Sequence, residues 1–415
     1  MKVLISSIGS RGEAQPVLAL ALELRALGHD ATLCIPPNFK PWVEARGIAC
    51  IPIGPDVQEF TAQSANAGAQ PRRPTHAQLQ QFVAHTVRDQ FAVTREAARG
   101  CDLIVVAGGL QSAGRSVAEA LQIPYVYAAY CAGTLPSREH PPPLMRPQWL
   151  PAFVRRQQWL PALVNRLLWV QSERSWNDLF RAPVNEQRAA LGLGPVDSVP
   201  PHIFTDRPWL AADPSLGPAG PSAHLTITQT GAWLLPSPAP LPEELERFLA
   251  SGEPPLYLGF GSMQARPETS RVLVEAARAV GRRAVISHGW GNLDVIDRGA
   301  DCIAIGDVDH TKLFPRVAAV VHHGGAGTTT AAASAGAPQL VVPHLYDQYY
   351  WANRVRRLGI GVAGPLAARL RTHALVDALR ASLRPDVAAR ARAFASRVER
   401  DGARIAARRL GAELG

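Results

Sequence analysis

The sequence predicts an α/β protein in two halves, each a parallel sheet covered by helices on both faces. Three observations carry this. A short apolar strand, a glycine turn and an amphipathic helix open the chain and recur after residue 255. Further short apolar runs alternate with helical stretches, the pattern of βαβ units. A proline-rich interval divides the two series.

Taken in order, Val3-Leu4-Ile5-Ser6-Ser7 reads as a buried strand, and Gly9-Ser10-Arg11-Gly12 as a turn. Pro16 stands where a helix would begin. Val17, Leu18, Ala21, Leu22 and Leu24 then keep helical spacing until Gly28 stops it. Strands are expected at 31–35 and 104–106. Residues 211–242 carry Pro214, Pro218, Pro221, Pro236, Pro238, Pro240 and Pro242, which reads as an interdomain connection with its boundary near 212–222. A strand-like stretch at 225–228 lies inside it. After Pro254-Pro255 come the strand Leu256-Tyr257-Leu258-Gly259-Phe260, the turn Gly261-Ser262-Met263 and a helix over roughly 270–280. Apolar runs at 284–286, 303–305, 317–321 and 340–342 continue the alternation. The tail from about residue 385 is rich in alanine and arginine, and helical, with no strand after it.

Segment 146–180 differs from the rest. Gln148-Trp149-Leu150-Pro151-Ala152 recurs as Gln158-Trp159-Leu160-Pro161-Ala162, and Trp149, Trp159, Trp169 and Trp176 are four of the nine tryptophans. Two readings stand: packed amphipathic helices supplying core, or a hydrophobic wall for an apolar acceptor or a membrane surface.

With 415 residues, 47% hydrophobic and 19% charged, the chain is globular and long enough for two or three domains. Its net charge of +9 is almost wholly arginine, since Lys2, Lys40 and Lys312 are the only lysines. The arginines are scattered, with no stripe and no nucleic-acid reading module, so nucleic-acid binding is not expected. A positive bias suits an anionic nucleotide or a weak membrane-surface contact. Cys34, Cys50, Cys101, Cys131 and Cys302 are odd in number and form no CxxC pair, which points to reduced thiols in a cytoplasmic enzyme. Arg11 and Glu13 interrupt any N-terminal signal peptide, and no window approaches a membrane span.

Residues 322–348, HHGGAGTTTAAASAGAPQLVVPHLYDQ, are the most informative stretch. A glycine turn feeding a helix offers unpaired amide N–H groups and the positive end of the helix dipole, a site for phosphate. Asp347 and Gln348 after the next strand suit the hydroxyls of a neutral group attached to that phosphate. The pattern points to a diphosphate on the helix and a sugar on the acid–amide pair.

With these elements in place, the chain resembles the GT-B glycosyltransferases of the glycopeptide, macrolide and sterol type (glycosyltransferase family 1, within the UDP-glycosyltransferase superfamily). Its markers are Gly9-Ser10-Arg11-Gly12…Pro16, Gly259-Phe260-Gly261-Ser262, Leu313-Phe314-Pro315-Arg316, His322-His323-Gly324-Gly325-Ala326-Gly327-Thr328 and Asp347-Gln348. The resemblance implies two Rossmann-like domains facing a cleft, the acceptor in residues 1–215 and the donor in 223–390. It also implies a tail helix, 391–415, that crosses back to the first domain.

By the same resemblance His323 contacts the donor diphosphate together with the amides of Gly325, Ala326, Gly327 and Thr328. Fixed dipoles and an imidazole can stabilise the charge of a departing nucleoside diphosphate without a metal. His322 reads as structural. Ser262 would reach the distal phosphate, Asp347 and Gln348 the sugar hydroxyls, and Val308 the nucleotide base, with Trp290 near that pocket or in the core. Ser10 and Arg11 join this donor set. Where relatives place Asp, or His in plant enzymes, as general base, this chain has Glu13, which keeps a carboxylate one methylene longer. Its alternative is a helix-start carboxylate favoured by the dipole. Asp307-Val308-Asp309 imitates a metal-binding DxD but reads as a solvated loop, and no metal or other cofactor is expected.

The expectation is therefore an inverting, metal-independent transfer of sugar from a UDP- or TDP-sugar to a hydroxyl of an apolar natural product. Two rivals remain: a sugar-nucleotide epimerase or hydrolase of the same architecture, and a non-catalytic helper of a true transferase. A phosphorylase with a pyridoxal Schiff base is disfavoured because Lys312 is the lone lysine of the second half. A nicotinamide dehydrogenase is disfavoured because Gly9-Ser10-Arg11-Gly12 lacks GxGxxG spacing. The sequence names neither sugar nor base nor aglycone, and is silent on oligomeric state.

Overall fold

The computed structural model describes residues 1–66, 75–109, 111–143, 161–222, 224–237 and 239–414. Trp149, Trp159 and most of the duplicated motif lie outside them. The chain forms two compact units. The N-terminal unit comprises Met1–Ala212, Pro218–Leu235 and Asp401–Gly415; the C-terminal unit comprises Asp213–Gly217 and Pro236–Arg400.

The N-terminal unit carries β1 (Lys2–Ser7), β2 (Asp30–Ile35), β3 (Ala49–Pro52), β4 (Leu103–Ala107), β5 (Tyr125–Ala129), β6 (Trp209–Leu210) and β7 (Thr228–Gln229). They lie in the order β3-β2-β1-β4-β5-β6-β7, and every pairing is parallel. Residues Val3 to Ser7 and all of β4 are buried. Central parallel strands are covered on both faces, which is why they read as continuous apolar runs rather than alternating ones. Each fully buried Leu, Ile or Val contributes roughly 1.5–3 kcal/mol.

The first helix, Arg11–Ala26, starts earlier than Pro16 led us to expect. The Ser10 carbonyl accepts from the N–H groups of Glu13 and Ala14 at 2.9 and 3.1 Å, so the first turn closes ahead of the proline. Pro16 cannot donate to the Gly12 carbonyl, but Gly12 is exposed and its oxygen can turn to water. Gly28 ends the helix at φ +82°, with His29 N–H donating to Leu24 at 3.0 Å.

Two boundaries differ from those expected. Residues 218–235 belong to the N-terminal unit through β7, a two-residue strand that overlaps the stretch expected at 225–228 only at Thr228. The returning segment starts at Asp401, not at 391. Helix Pro385–Ala395 stays with the C-terminal unit, where a Cβ on Gly336 would come 3.1 Å from Arg392 Cα. The last helix, Gly402–Leu414, lies against the N-terminal unit, where a Cβ on Gly411 would stand 3.2 Å from His29 Nε2.

The C-terminal unit carries β8 (Leu256–Gly259), β9 (Ala284–Ser287), β10 (Cys302–Ile305), β11 (Ala319–His322), β12 (Gln339–Val341) and β13 (Gly361–Ala363). Their order is β10-β9-β8-β11-β12-β13, again parallel throughout. Leu256, Leu258, Phe260 and Val321 pack into one core cluster, while Tyr257 and Val320 pack into the other. This period of two puts a helix layer on each face.

Both sheets reverse their strand order between the first and fourth strands, at β1/β4 and at β8/β11. In open parallel sheets the crevice beyond the carboxyl ends at such a reversal is where ligands bind. Among the described residues no helix is long and apolar enough to cross a membrane.

Candidate active site

In the C-terminal unit the reversal brings together the turn after β8 and the turn after β11. Gly261 has φ +58°, a left-handed conformation that glycine adopts without strain. The imidazole of His323 fills the space beside it. A Cβ on Gly261 would lie 3.0 Å from His323 Cε1, and one on Gly325 would lie 2.6 Å from His323 Nε2. The ring is thus wedged between two glycines. Its Nδ1 is buried with no hydrogen-bond partner. Burial, with smaller contributions from His322, His344 and His310, pushes His323 down to about 3, so the ring is neutral near neutral pH.

His322 supports this turn from behind. Gly324 N–H donates to His322 Nδ1 at 3.1 Å, and His322 Nε2 lies 2.9 Å from Gln339 Oε1. Since an amide can only donate, Nδ1 is the acceptor, and the neutral ring carries its proton on Nε2 toward Gln339. Burial lowers His322 to about 4, in keeping with that state.

Helix Ala326–Ser334 begins at once, with Gly325 as N-cap and no side-chain cap. The amides of its first turn therefore have no intrahelical acceptor, and no acidic residue occupies that turn. Ala326, Gly327 and Thr328 supply these donors.

Asp347 and Gln348 open helix Gln348–Leu358 after β12. Trp351 Nε1 donates to Asp347 Oδ2 at 3.1 Å, and burial raises the Asp347 carboxyl to about 6. The Gln348 carboxamide has protein partners of its own. Its oxygen accepts from the N–H groups of His344 and Leu345 at 2.8 and 3.1 Å, and its nitrogen lies 3.3 Å from Met263 Sδ. A Cβ on Gly324 would meet the Gln348 carbonyl at 3.0 Å. Three segments far apart in sequence, 261–263, 323–325 and 347–348, thus form one assembly. Half-buried Ser262 sits in the first of them.

Trp290 joins through its backbone, its N–H donating to the Gly261 carbonyl at 2.9 Å. Val308 packs, half-buried, against the cluster containing Ile305, Leu313 and Phe314. The Asp309 carboxylate caps the short helix His310–Leu313, accepting from Thr311 N–H at 2.8 Å, and its other oxygen accepts from Ser237 N–H at 2.8 Å. Among the described residues no group of three or more His, Cys, Asp or Glu side chains is arranged to hold a metal ion.

In the N-terminal unit the corresponding reversal holds Glu13. Its side chain folds back over Gly9, where a Cβ would lie 2.3 Å from Glu13 Cγ. Its carboxyl points toward Gly108, the residue after β4, where a Cβ would lie 3.7 Å from Glu13 Cδ. Tyr130 Oη donates to the Glu13 carbonyl at 3.1 Å. Burial first, and the Glu13 charge second, hold the Tyr130 phenol well above its ordinary range, so it stays a donor. Ser10 caps the first helix without a side-chain bond. Arg11 donates to Gln15 Oε1 at 3.3 Å and lies over the Trp42 ring at 5.2 Å. Ser10 and Arg11 thus group with Glu13, in a different unit from the other donor candidates.

Comparison with known proteins decides the family. Residues 3–137 match the glycosyltransferase family 28 N-terminal domain, and residues 285–404 match the erythromycin biosynthesis protein CIII-like C-terminal domain. The vancomycin aglycone glucosyltransferase of Amycolatopsis orientalis is 43% identical over 99% of this chain and 97% of its own length. The chain belongs to the glycopeptide-type GT-B glycosyltransferases. The dTDP-epi-vancosaminyltransferase of Amycolatopsis orientalis is 39% identical over 94% of this chain and 92% of its own. Among solved structures, spinosyn forosaminyltransferase SpnP superposes with a TM-score of 0.70 at 18% identity, covering 100% of this chain and 99% of that one. Glycosyltransferase VinC, solved in complex with dTDP, gives 0.66 at 22% identity, covering 96% and 95%.

Sequence reasoning on this glycosyltransferase missed Trp351, Met263, Gly108 and Tyr130. Trp351 follows Asp347 by one helical turn, and Gly108 ends an apolar run just as Gly9 and Gly261 follow theirs, so both carried a legible signal. Met263 and Tyr130 reach the site through tertiary packing alone.

Proposed function

We propose that this glycosyltransferase catalyses inverting, metal-independent transfer of a sugar from a UDP- or TDP-sugar to a hydroxyl of a natural-product aglycone. The names of its relatives favour a glycopeptide-type acceptor. The observation that carries the donor half is the buried, partnerless Nδ1 of His323 beside an uncapped helix start free of acidic residues. An unpaired buried polar atom costs about 1–3 kcal/mol, and a phosphate oxygen supplies the missing partner. A neutral imidazole and backbone amides hold that oxygen without the self-repulsion or counter-ion of a metal site.

In the acceptor half, Glu13 takes the proton from the acceptor hydroxyl. The oxygen attacks the anomeric carbon from the face opposite the diphosphate. The bond from that carbon to the diphosphate breaks, and its electron pair leaves on the nucleoside diphosphate. The N–H dipoles at Ala326–Thr328 stabilise the developing charge.

The test is turnover of UDP-glucose and TDP-glucose with vancomycin aglycone, in the presence of EDTA, by wild type and His323→Ala. Wild type forms glycosylated product despite the chelator, and the variant loses on the order of 10²-fold in kcat with its fold intact. Dependence on a divalent metal, or near-normal turnover by His323→Ala, contradicts the proposal. Release of free sugar from donor alone would instead favour the hydrolase reading.

A further inference from the structure

We infer that Trp351 is a positioning residue for donor-sugar recognition: its indole N–H fixes the Asp347 carboxylate that meets the sugar, while Gln348 serves the loop. This rests on the donor reading proposed above. Trp351 is fully buried, and its Nε1 donates to Asp347 Oδ2 at 3.1 Å from one turn further along the same helix. The ring is locked by its surroundings, with Tyr350 packed edge-on at 5.2 Å between centroids. Tyr346, immediately before Asp347, has φ +55°, a conformation that a tyrosine adopts only when its surroundings impose it. The carboxylate is therefore held by an indole one turn after it, on a chain whose backbone is strained at the preceding residue.

The contrast with Gln348 sharpens the assignment. Both polar ends of that carboxamide are engaged, with His344 and Leu345 at the oxygen and Met263 Sδ at the nitrogen. Its geometry joins the sugar-side loop to the turn that packs on His323. Burial tends to neutralise Asp347, and the indole bond favours its charged form. Removing the indole N–H would therefore loosen the carboxylate and weaken its charge together.

The test compares nucleotide sugars with the bare nucleotides, so that the sugar's share of binding is isolated. UDP, TDP, UDP-glucose and TDP-glucose are titrated against wild type and Trp351→Phe, which keeps an aromatic ring and removes the donor. The Kd of the nucleotide sugar rises about tenfold, as expected for one bond to a charged group. The Kd of UDP or TDP changes less than about twofold. In an Asp347→Ala background, Trp351→Phe has no further effect on that difference. If Trp351→Phe does not fold, substitution by benzothienylalanine, which keeps the ring volume and lacks the N–H, replaces it. Equal losses for nucleotide and nucleotide sugar, or no loss for either, overturn the inference and leave the donor reading standing. Failure of wild type to bind any of the four overturns both.

Discussion

The imidazole of His323 occupies the place a side chain at Gly325 would take, its Nε2 standing 2.6 Å from where that Cβ would be. Gly325 itself has φ −65° and ψ 145°, backbone angles open to any residue. The glycine is needed there for space, not for conformation. Gly325→Ala is thus a steric probe that moves the ring and spares the chain. We expect kcat/KM to fall on the order of 10²-fold, comparable to losing one preorganised donor, with little change in Tm. Steady-state kinetics beside a thermal melt checks it.

Glu13→Gln removes the basic oxygen and keeps the shape that packs over Gly9. Loss of a general base lowers kcat on the order of 10²–10⁴-fold, with acceptor affinity nearly unchanged. Rapid-quench measurement of the chemical step, with acceptor binding followed by fluorescence, separates the two. A mild effect on the chemical step would assign Glu13 to the helix dipole instead.

The pH dependence of stability follows from the buried histidines and Asp347. His322 and His323 are lowered to about 4 and about 3 from an ordinary value of 6.5. Between those limits the unfolded chain binds more protons, so stability is full above about pH 6.5 and is lost as pH falls through the folded values. Each such histidine gives a slope of up to about 1.4 kcal/mol per pH unit. Asp347, raised to about 6 from 3.8, has the opposite sign, because between those values the folded state binds the extra proton. The histidines outnumber it, so urea midpoints should fall as pH drops from 6.5 to 4. His322→Gln should flatten that fall.

Sugar recognition should titrate separately. Below about pH 6 Asp347 becomes protonated, so UDP-glucose should lose affinity relative to UDP as pH falls from 7 to 5. Asp347→Asn should remove this difference. Calorimetric titration at a series of pH values reads it directly.

Asp213 is fully buried and holds two backbone amides, accepting from Leu216 N–H at 2.7 Å and Glu399 N–H at 2.8 Å. It therefore pins the 213–217 segment to the end of the C-terminal unit's last segment. Asp213→Ala leaves one buried and one part-buried donor without that partner and should cost roughly 1–4 kcal/mol, read as a lower denaturation midpoint at constant m-value.

Much of this was legible in the chain because the two sheets repeat one grammar. An apolar strand with a glycine within two residues after it marks β1, β4 and β8, and the residues singled out beyond β1, β8 and β11 fall at the points where strand order reverses. What stayed hidden has physical reasons. β6 is two residues long, below any period, and β7 shares only Thr228 with the strand-like stretch at 225–228. Pro16 misled because its missing donor falls where the helix carbonyl faces water. The three protein partners of the Gln348 carboxamide, His344, Leu345 and Met263, become visible only when the loop closes. Met263 and Tyr130 reach the site through tertiary packing and carry no motif of their own.

The proposed transfer depends most on where a nucleoside diphosphate sits. The direct measurement is a crystal structure of the full chain with UDP or TDP bound. It should show the diphosphate oxygens within hydrogen-bond distance of the Ala326, Gly327 and Thr328 amides and of the His323 ring. A diphosphate bound elsewhere, with those amides facing solvent, would contradict it.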